Sequence, residues 1–149
     1  MVIDEAAGRE HEFARLGVLV VDDDEFMLEV VRELLTGLGV SEVRSASDAE
    51  NALALIDSTT ESTDVIVFDL NMYGMHGTEL MRQLASRHFA GGIVLMSGSS
   101  EQLLTLAVEL GRDLGLRVLA SLRKPVELAQ LRTALESAAA DRHLRGSNG

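Results

Sequence analysis

The sequence predicts an α/β protein built on a doubly wound parallel sheet. Three observations predict it. From Leu16 onward, five apolar runs of strand length alternate with segments of helical period. Three of the runs are unbroken and rich in β-branched residues, as strands buried on both faces require. Each run is followed by one helical segment, and five βα units in succession give a parallel sheet with helices on both sides.

The elements follow in order. Residues 1–15 read as a flexible extension in which "HEFARL" can add a short helical turn. The first strand is residues 18–21, and Phe26, Val30, Val31, Leu34, Leu35 and Leu38 then recur at helical spacing before the stop signals Gly37 and Gly39. The run 43–46 is shorter and more polar, as an edge strand would be. "SDAE", Ser47 to Glu50, reads as a capping box for a helix over 49–57. Strand 65–68 precedes helix 78–86, and strand 93–96 precedes helix 101–114. On that last helix, steps of about 100° place Leu103, Leu106, Ala107, Leu110 and Leu114 toward the sheet, with Leu104 and Val108 widening the arc. Strand 118–122 leads to a final helix faced by Leu128, Leu131, Leu135 and Ala138, and residues 142–149 read as a tail. One domain, 16–141, therefore covers most of the 149 residues. A chain of that length buries roughly 70% of its unfolded surface.

Composition narrows the function. There is no cysteine, so disulfides, thiolate metal sites and cysteine nucleophiles are excluded. The polar, acidic N-terminus lacks the apolar core of a secretory signal, and no apolar run approaches the ~20 residues of a membrane span, so a cytoplasmic protein is expected. A formal charge of −11 and scattered arginines argue against direct binding of nucleic acid or anionic lipid.

In an open α/β sheet, ligands bind beyond the carboxyl ends of the strands, where strand order reverses. Asp22, Asp23 and Asp24 follow the first run, Asp69 the third, Ser97 the fourth, and Lys124 the fifth. Each has an ordinary explanation: a polar turn and helix cap for the aspartates, turn chemistry for Asp69, a linker for Ser97 to Ser100. Their conjunction outweighs those explanations. Carboxylates this close need a cation, and oxygen ligands without His or Cys suit Mg²⁺. A bound Mg²⁺ suits a phosphoryl group, for which Lys124 is a point charge, Ser97 a donor and Asp69 the nucleophile. Lys124 is also the only lysine among 13 basic residues, and the only proline follows it.

"VLVVDDDEFM", "VIVFDLNMYGMHG", "IVLMSGSS" and "LRKPV" resemble, in order and spacing, the four signatures of the response-regulator receiver domain. The resemblance covers residues 16–141. It implies a flavodoxin-like (βα)₅ fold with strand order 2-1-3-4-5, and phosphorylation of Asp69 by a histidine kinase or histidine phosphotransfer protein. It implies Mg²⁺ held by Asp22, Asp23, Asp69 and the Asn71 backbone carbonyl, with Ser97 as switch residue, Lys124 on the phosphoryl group and a cis bond before Pro125. The apolar arc that Leu104 and Val108 widen is either buried beneath a neighbouring loop or a face for an output domain or a homodimer, formed by the fourth helix, fifth strand and fifth helix.

Four departures from that pattern matter. Tyr73 stands where many receivers have proline, and His76 where an acidic residue is frequent. Ser121 replaces an aromatic ring that would swing behind Ser97. Asn71 and Ser99, two beyond Asp69 and Ser97, are small, so water reaches the acyl phosphate and a short-lived phosphoryl group is expected. The stretch 114–126 further resembles receivers that head EAL-type cyclic-di-GMP phosphodiesterases, although no EAL motif occurs. One enzymatic alternative is a haloacid-dehalogenase-type phosphatase, with Asp22 as nucleophile and Asp24 as acid/base. A flavin-binding protein is disfavoured by three aspartates where a phosphate-cradling loop belongs.

Overall fold

The computed structural model describes residues 13–58, 63–72 and 76–147, the last six of these as backbone only. Among the described residues five strands, β1 (Gly17–Val21), β2 (Glu42–Ala46), β3 (Val65–Asp69), β4 (Gly92–Ser97) and β5 (Arg117–Arg123), alternate with the five helices that follow them. These are α1 (Glu25–Gly37), α2 (Ala49–Ser58), α3 (Gly77–Ser86), α4 (Glu101–Asp113) and α5 (Leu128–Ser147). All strand pairs are parallel, as the sequence pattern predicts, and the order is β2-β1-β3-β4-β5, as the resemblance implies.

The period of two along each strand sorts the core into two layers. Val18, Val20, Val65, Val67, Val94 and Met96 face α1 and α5, where they meet Val31, Leu35, Leu131 and Leu135. Leu19, Val21, Ile66, Phe68, Ile93 and Leu95 face α2, α3 and α4, against Leu53, Leu80, Leu84 and Leu104. Burial of each such side chain stabilises the fold by about 1.5–3 kcal/mol before entropy is counted. β1, β3 and β4 are buried along their whole length, whereas β2 and β5 are half-exposed edges.

Several local expectations change. Phe13 is buried in the layer beneath α1, and the Ser41 hydroxyl donates to the Ala14 carbonyl, so residues 13–15 belong to the domain. The rest of the expected extension, residues 1–12, lies outside the described residues. At the other end α5 runs on to Ser147, into residues expected to be a tail. The cap of α2 is Asp48, not Ser47: its carboxylate accepts from the Asn51 backbone N–H at 2.7 Å and from the Asn51 amide at 2.9 Å.

The largest correction concerns α4. Its sheet side is Leu104, Ala107 and Gly111, while Leu106 is 63% exposed. Leu103, Val108 and Leu110 are half-buried at the flanks. Gly111 decides the rotation, because the helix lies so close to β5 that a Cβ there would sit 2.9 Å from Val118 Cγ2. Leu104 is thus a core residue, and Leu104→Asp would bury a carboxylate among apolar side chains.

Gly115 ends α4 at φ +83, with its amide donating to the Arg112 carbonyl and nothing within 4 Å of an added Cβ. Gly115→Ala therefore carries a backbone penalty without a clash and should destabilise by about 1–2 kcal/mol. Urea unfolding checks this, and Gly115→Asn should lose less.

Candidate functional site

The site lies where strand order reverses, at the carboxyl ends of β1 and β3. Register places it there: Val21 pairs with Phe68, so Asp22 and Asp69 leave adjacent strands at the same level. Both carboxylates are anchored alike. Asp22 Oδ1 accepts the Asp24 N–H at 2.9 Å, and Asp69 Oδ1 accepts the Asn71 N–H at 3.0 Å. Such bonds to the amide two residues on are the habitual local chemistry of aspartate in turns. Each residue presents its second oxygen to one ammonium. Lys124 Nζ donates to Asp22 Oδ2 at 2.8 Å and to Asp69 Oδ2 at 2.9 Å.

Lys124 reaches this position from the end of β5. Its backbone N–H donates to the Ser97 carbonyl at 2.9 Å, and the Lys124–Pro125 peptide is cis, as the resemblance implies. Asp22 and Ser97 are fully buried, Asp69 is 5% exposed, and Asp23 is half-buried. One oxygen each from Asp22, Asp23 and Asp69 fall within 4.8 Å of one another, a group that could hold a metal ion. Three carboxylates against one ammonium leave a formal charge of −2, which a divalent cation would balance.

Burial pushes the Asp22 carboxyl above its usual pKa, and the hydrogen bonds from Lys124 and the Asp24 amide only partly oppose it. Burial works against the Lys124 charge, but the Asp22 and Asp69 hydrogen bonds outweigh it and hold the ammonium above the usual lysine value.

Asp24 has a different task. Its side chain accepts from the Phe26 N–H at 3.0 Å and caps α1. The phosphatase alternative thereby finds its acid/base engaged at a helix end. His76 is exposed at the start of α3 with no side-chain capping bond, Ser121 is exposed on β5, and Tyr73 lies outside the described residues.

Sequence reasoning missed the polar network around Ser97. The Ser97 and Ser99 hydroxyls are 2.9 Å apart, and the Ser99 N–H donates to Ser97 Oγ at 3.0 Å. Asn71 Nδ2 reaches Ser99 Oγ at 3.0 Å and Ser97 Oγ at 3.4 Å.

A family model described as the response regulator receiver domain matches residues 18–136. The chain belongs to the response-regulator receiver family. This receiver domain is 32% identical over 125 residues to the nitrate/nitrite response regulator protein NarL of Escherichia coli (strain K12), covering 83% of this chain and 54% of that protein. It is 34% identical over 96 residues to the transcriptional regulatory protein CpxR of the same organism, covering 64% of this chain and 40% of the other. The chain thus spans about half the length of the first of these relatives, or less. Among solved structures, a response regulator receiver domain protein from Clostridium thermocellum superposes with TM-score 0.75 at 25% identity, covering 87% of this chain and 98% of that one. The signal receiver domain of an HD domain-containing protein from Pseudomonas fluorescens Pf-5 also gives 0.75 at 25% identity, over 89% and 93%. Among the described residues no helix is long and apolar enough to cross a membrane.

Removing the ammonium leaves two nearly buried carboxylates facing each other. Lys124→Met should destabilise the metal-free protein by about 3 kcal/mol at neutral pH, with the loss shrinking on acidification. In the unsubstituted protein, the raised Lys124 pKa means its contribution is complete below the ordinary lysine value of about 10.4 and fades as pH rises through the folded-state value. Urea unfolding across pH checks both.

Proposed function

We propose that this receiver domain accepts a phosphoryl group on Asp69 from the phosphohistidine of a histidine kinase or phosphotransfer protein, in a Mg²⁺-dependent reaction. The observation that carries the reading is the double hydrogen bond of Lys124 Nζ to Asp22 and Asp69, beside the third carboxylate, Asp23. The donor set is all oxygen, and its net charge of −2 fits a hard divalent ion. Asp22, Asp23, Asp69 and the Asn71 backbone carbonyl would hold it. When bound, the metal neutralises charge on phosphoryl oxygens.

An ionised Asp69 oxygen forms the bond to phosphorus as the donor's phosphorus–nitrogen bond breaks, and the released imidazole keeps or takes up a proton. Lys124 stays bound to Asp22 while its contact to Asp69 passes to a phosphoryl oxygen. Ser97 donates its hydroxyl to another. Hydrolysis returns the carboxylate when water attacks phosphorus and the acyl phosphate's phosphorus–oxygen bond breaks. Asn71 and Ser99 are small and exposed, which supports water access and a short-lived phosphoryl group.

The signal passes onward to a partner or output domain. The apolar residues Leu106 and Leu128, 63% and 43% exposed, support contacts through α4, β5 and α5. The resemblance of 114–126 to receivers of EAL-type phosphodiesterases suggests the kind of protein in which such an output would sit. The acidic charge of −11 supports output by protein contact and not by direct DNA binding.

Incubation with Mg²⁺ and phosphoramidate should add one phosphate by intact mass, and Asp69→Asn should add none. An adduct retained in Asp69→Asn would contradict the assignment, and a half-life of many hours in Mg²⁺ would contradict the short lifetime. Protons compete with the metal for Asp22. Because its pKa is raised, Mg²⁺ affinity should begin to fall at a higher pH than an ordinary aspartate dictates, then drop about tenfold per pH unit. Calorimetric Mg²⁺ titrations through the acid range measure this.

A further inference from the structure

Three polar side chains close a triangle on the rim between β3 and β4. Ser97 Oγ and Ser99 Oγ lie 2.9 Å apart, and Asn71 Nδ2 lies 3.0 Å from the second and 3.4 Å from the first. Ser97 is fully buried, while Asn71 and Ser99 are exposed. The fourth contact is the Ser99 backbone N–H, which donates to Ser97 Oγ at 3.0 Å.

The distance alone leaves either oxygen as donor of the hydroxyl bond, and counting lone pairs assigns its direction. A serine oxygen accepts two hydrogen bonds and donates one. Both acceptor sites of Ser97 Oγ are met by N–H donors, from the Ser99 backbone and the Asn71 amide. Its own proton is left for Ser99 Oγ, which takes one N–H from Asn71 and keeps a second lone pair free. The opposite polarity would crowd three donors onto Ser97. The single proton of Ser97 is therefore already engaged, in a bond of good length, with Ser99, which is neither one of the clustered carboxylates nor the ammonium that bridges them.

We infer that Ser99, oriented by Asn71, is a positioning residue that holds the Ser97 hydroxyl away from the phosphoryl site, so that switching requires Ser97 to exchange one hydrogen-bond acceptor for another. The inference rests on the phospho-acceptor reading above and adds a brake to it. Ser99 sets how readily Ser97 turns to a phosphoryl oxygen on Asp69. A water replacing the Ser99 hydroxyl would be a poorer brake, since it is not tethered and must be immobilised to serve.

The probe is beryllofluoride with Mg²⁺, a mimic of the phosphoryl group on Asp69, followed by fluorine-19 NMR and calorimetry. Ser99→Ala should bind it between about twofold and tenfold more tightly, the factor for one net hydrogen bond. Ser99→Thr, which keeps the hydroxyl, should stay near the unsubstituted protein. In a Ser97→Ala background the same Ser99→Ala change should have no effect, because there is no proton to release. A merely structural Ser99 would weaken binding, or act equally in both backgrounds, and either result overturns the inference. If the unsubstituted protein shows no beryllofluoride binding that Asp69→Asn removes, the phospho-acceptor reading fails and this inference with it. Normal binding that is indifferent to Ser99→Ala sinks the inference alone.

Discussion

The pocket depends on one ammonium. Lys124 Nζ sits within hydrogen-bond distance of two carboxylates that are 102 and 55 residues away in the chain, and it supplies the positive charge between them in a poorly solvated crevice. Without it, repulsion and burial would drive a proton onto one of them. With it alone, the cluster retains a formal −2 once Asp23 is included. Under the proposed function, a divalent ion and an anionic ligand would complete the site that the lysine holds here.

The sheet makes this possible at little local expense. β1 and β3 are neighbours because the order reverses there, and their register brings Asp22 level with Asp69. β4 and β5 extend the same rim, with Ser97 paired to Arg123 and the next amide, that of Lys124, bonded to the Ser97 carbonyl. Backbone pairing holds all four strand ends, so the side chains inherit positions that their own rotamers need only refine.

Much of this was legible in the sequence because each rim residue follows a strong local signal. A buried parallel strand is a continuous apolar run, and the first polar residue after it lies at the carboxyl edge. Asp22, Asp69 and Ser97 are found by that rule, and Lys124 lies one residue beyond Arg123, the first polar residue after the fifth run. What was not legible depends on contacts between segments. The α4 stripe is apolar over so wide an arc that periodicity gives no unique centre, and only the close approach at Gly111 sets the rotation. A glycine within a helical pattern was the available clue. Asp48 outcompetes Ser47 as a cap because its carboxylate meets two donors of Asn51. The side chains of Asn71 and Ser99 were read by size alone, whereas their hydrogen-bonding capacity ties them to Ser97. Phe13 follows the polar stretch 8–12, and its burial is a tertiary fact that no local pattern encodes.

The chain folds as a receiver domain, and the proposed chemistry turns on where a cation would sit. The most direct measurement is an anomalous difference map from crystals soaked in Mn²⁺, a stand-in for Mg²⁺ with comparable preference for oxygen ligands. A single strong peak bounded by the carboxylates of Asp22, Asp23 and Asp69 is the predicted result. A peak elsewhere, or none at that junction while Lys124 still bridges Asp22 and Asp69, would contradict it.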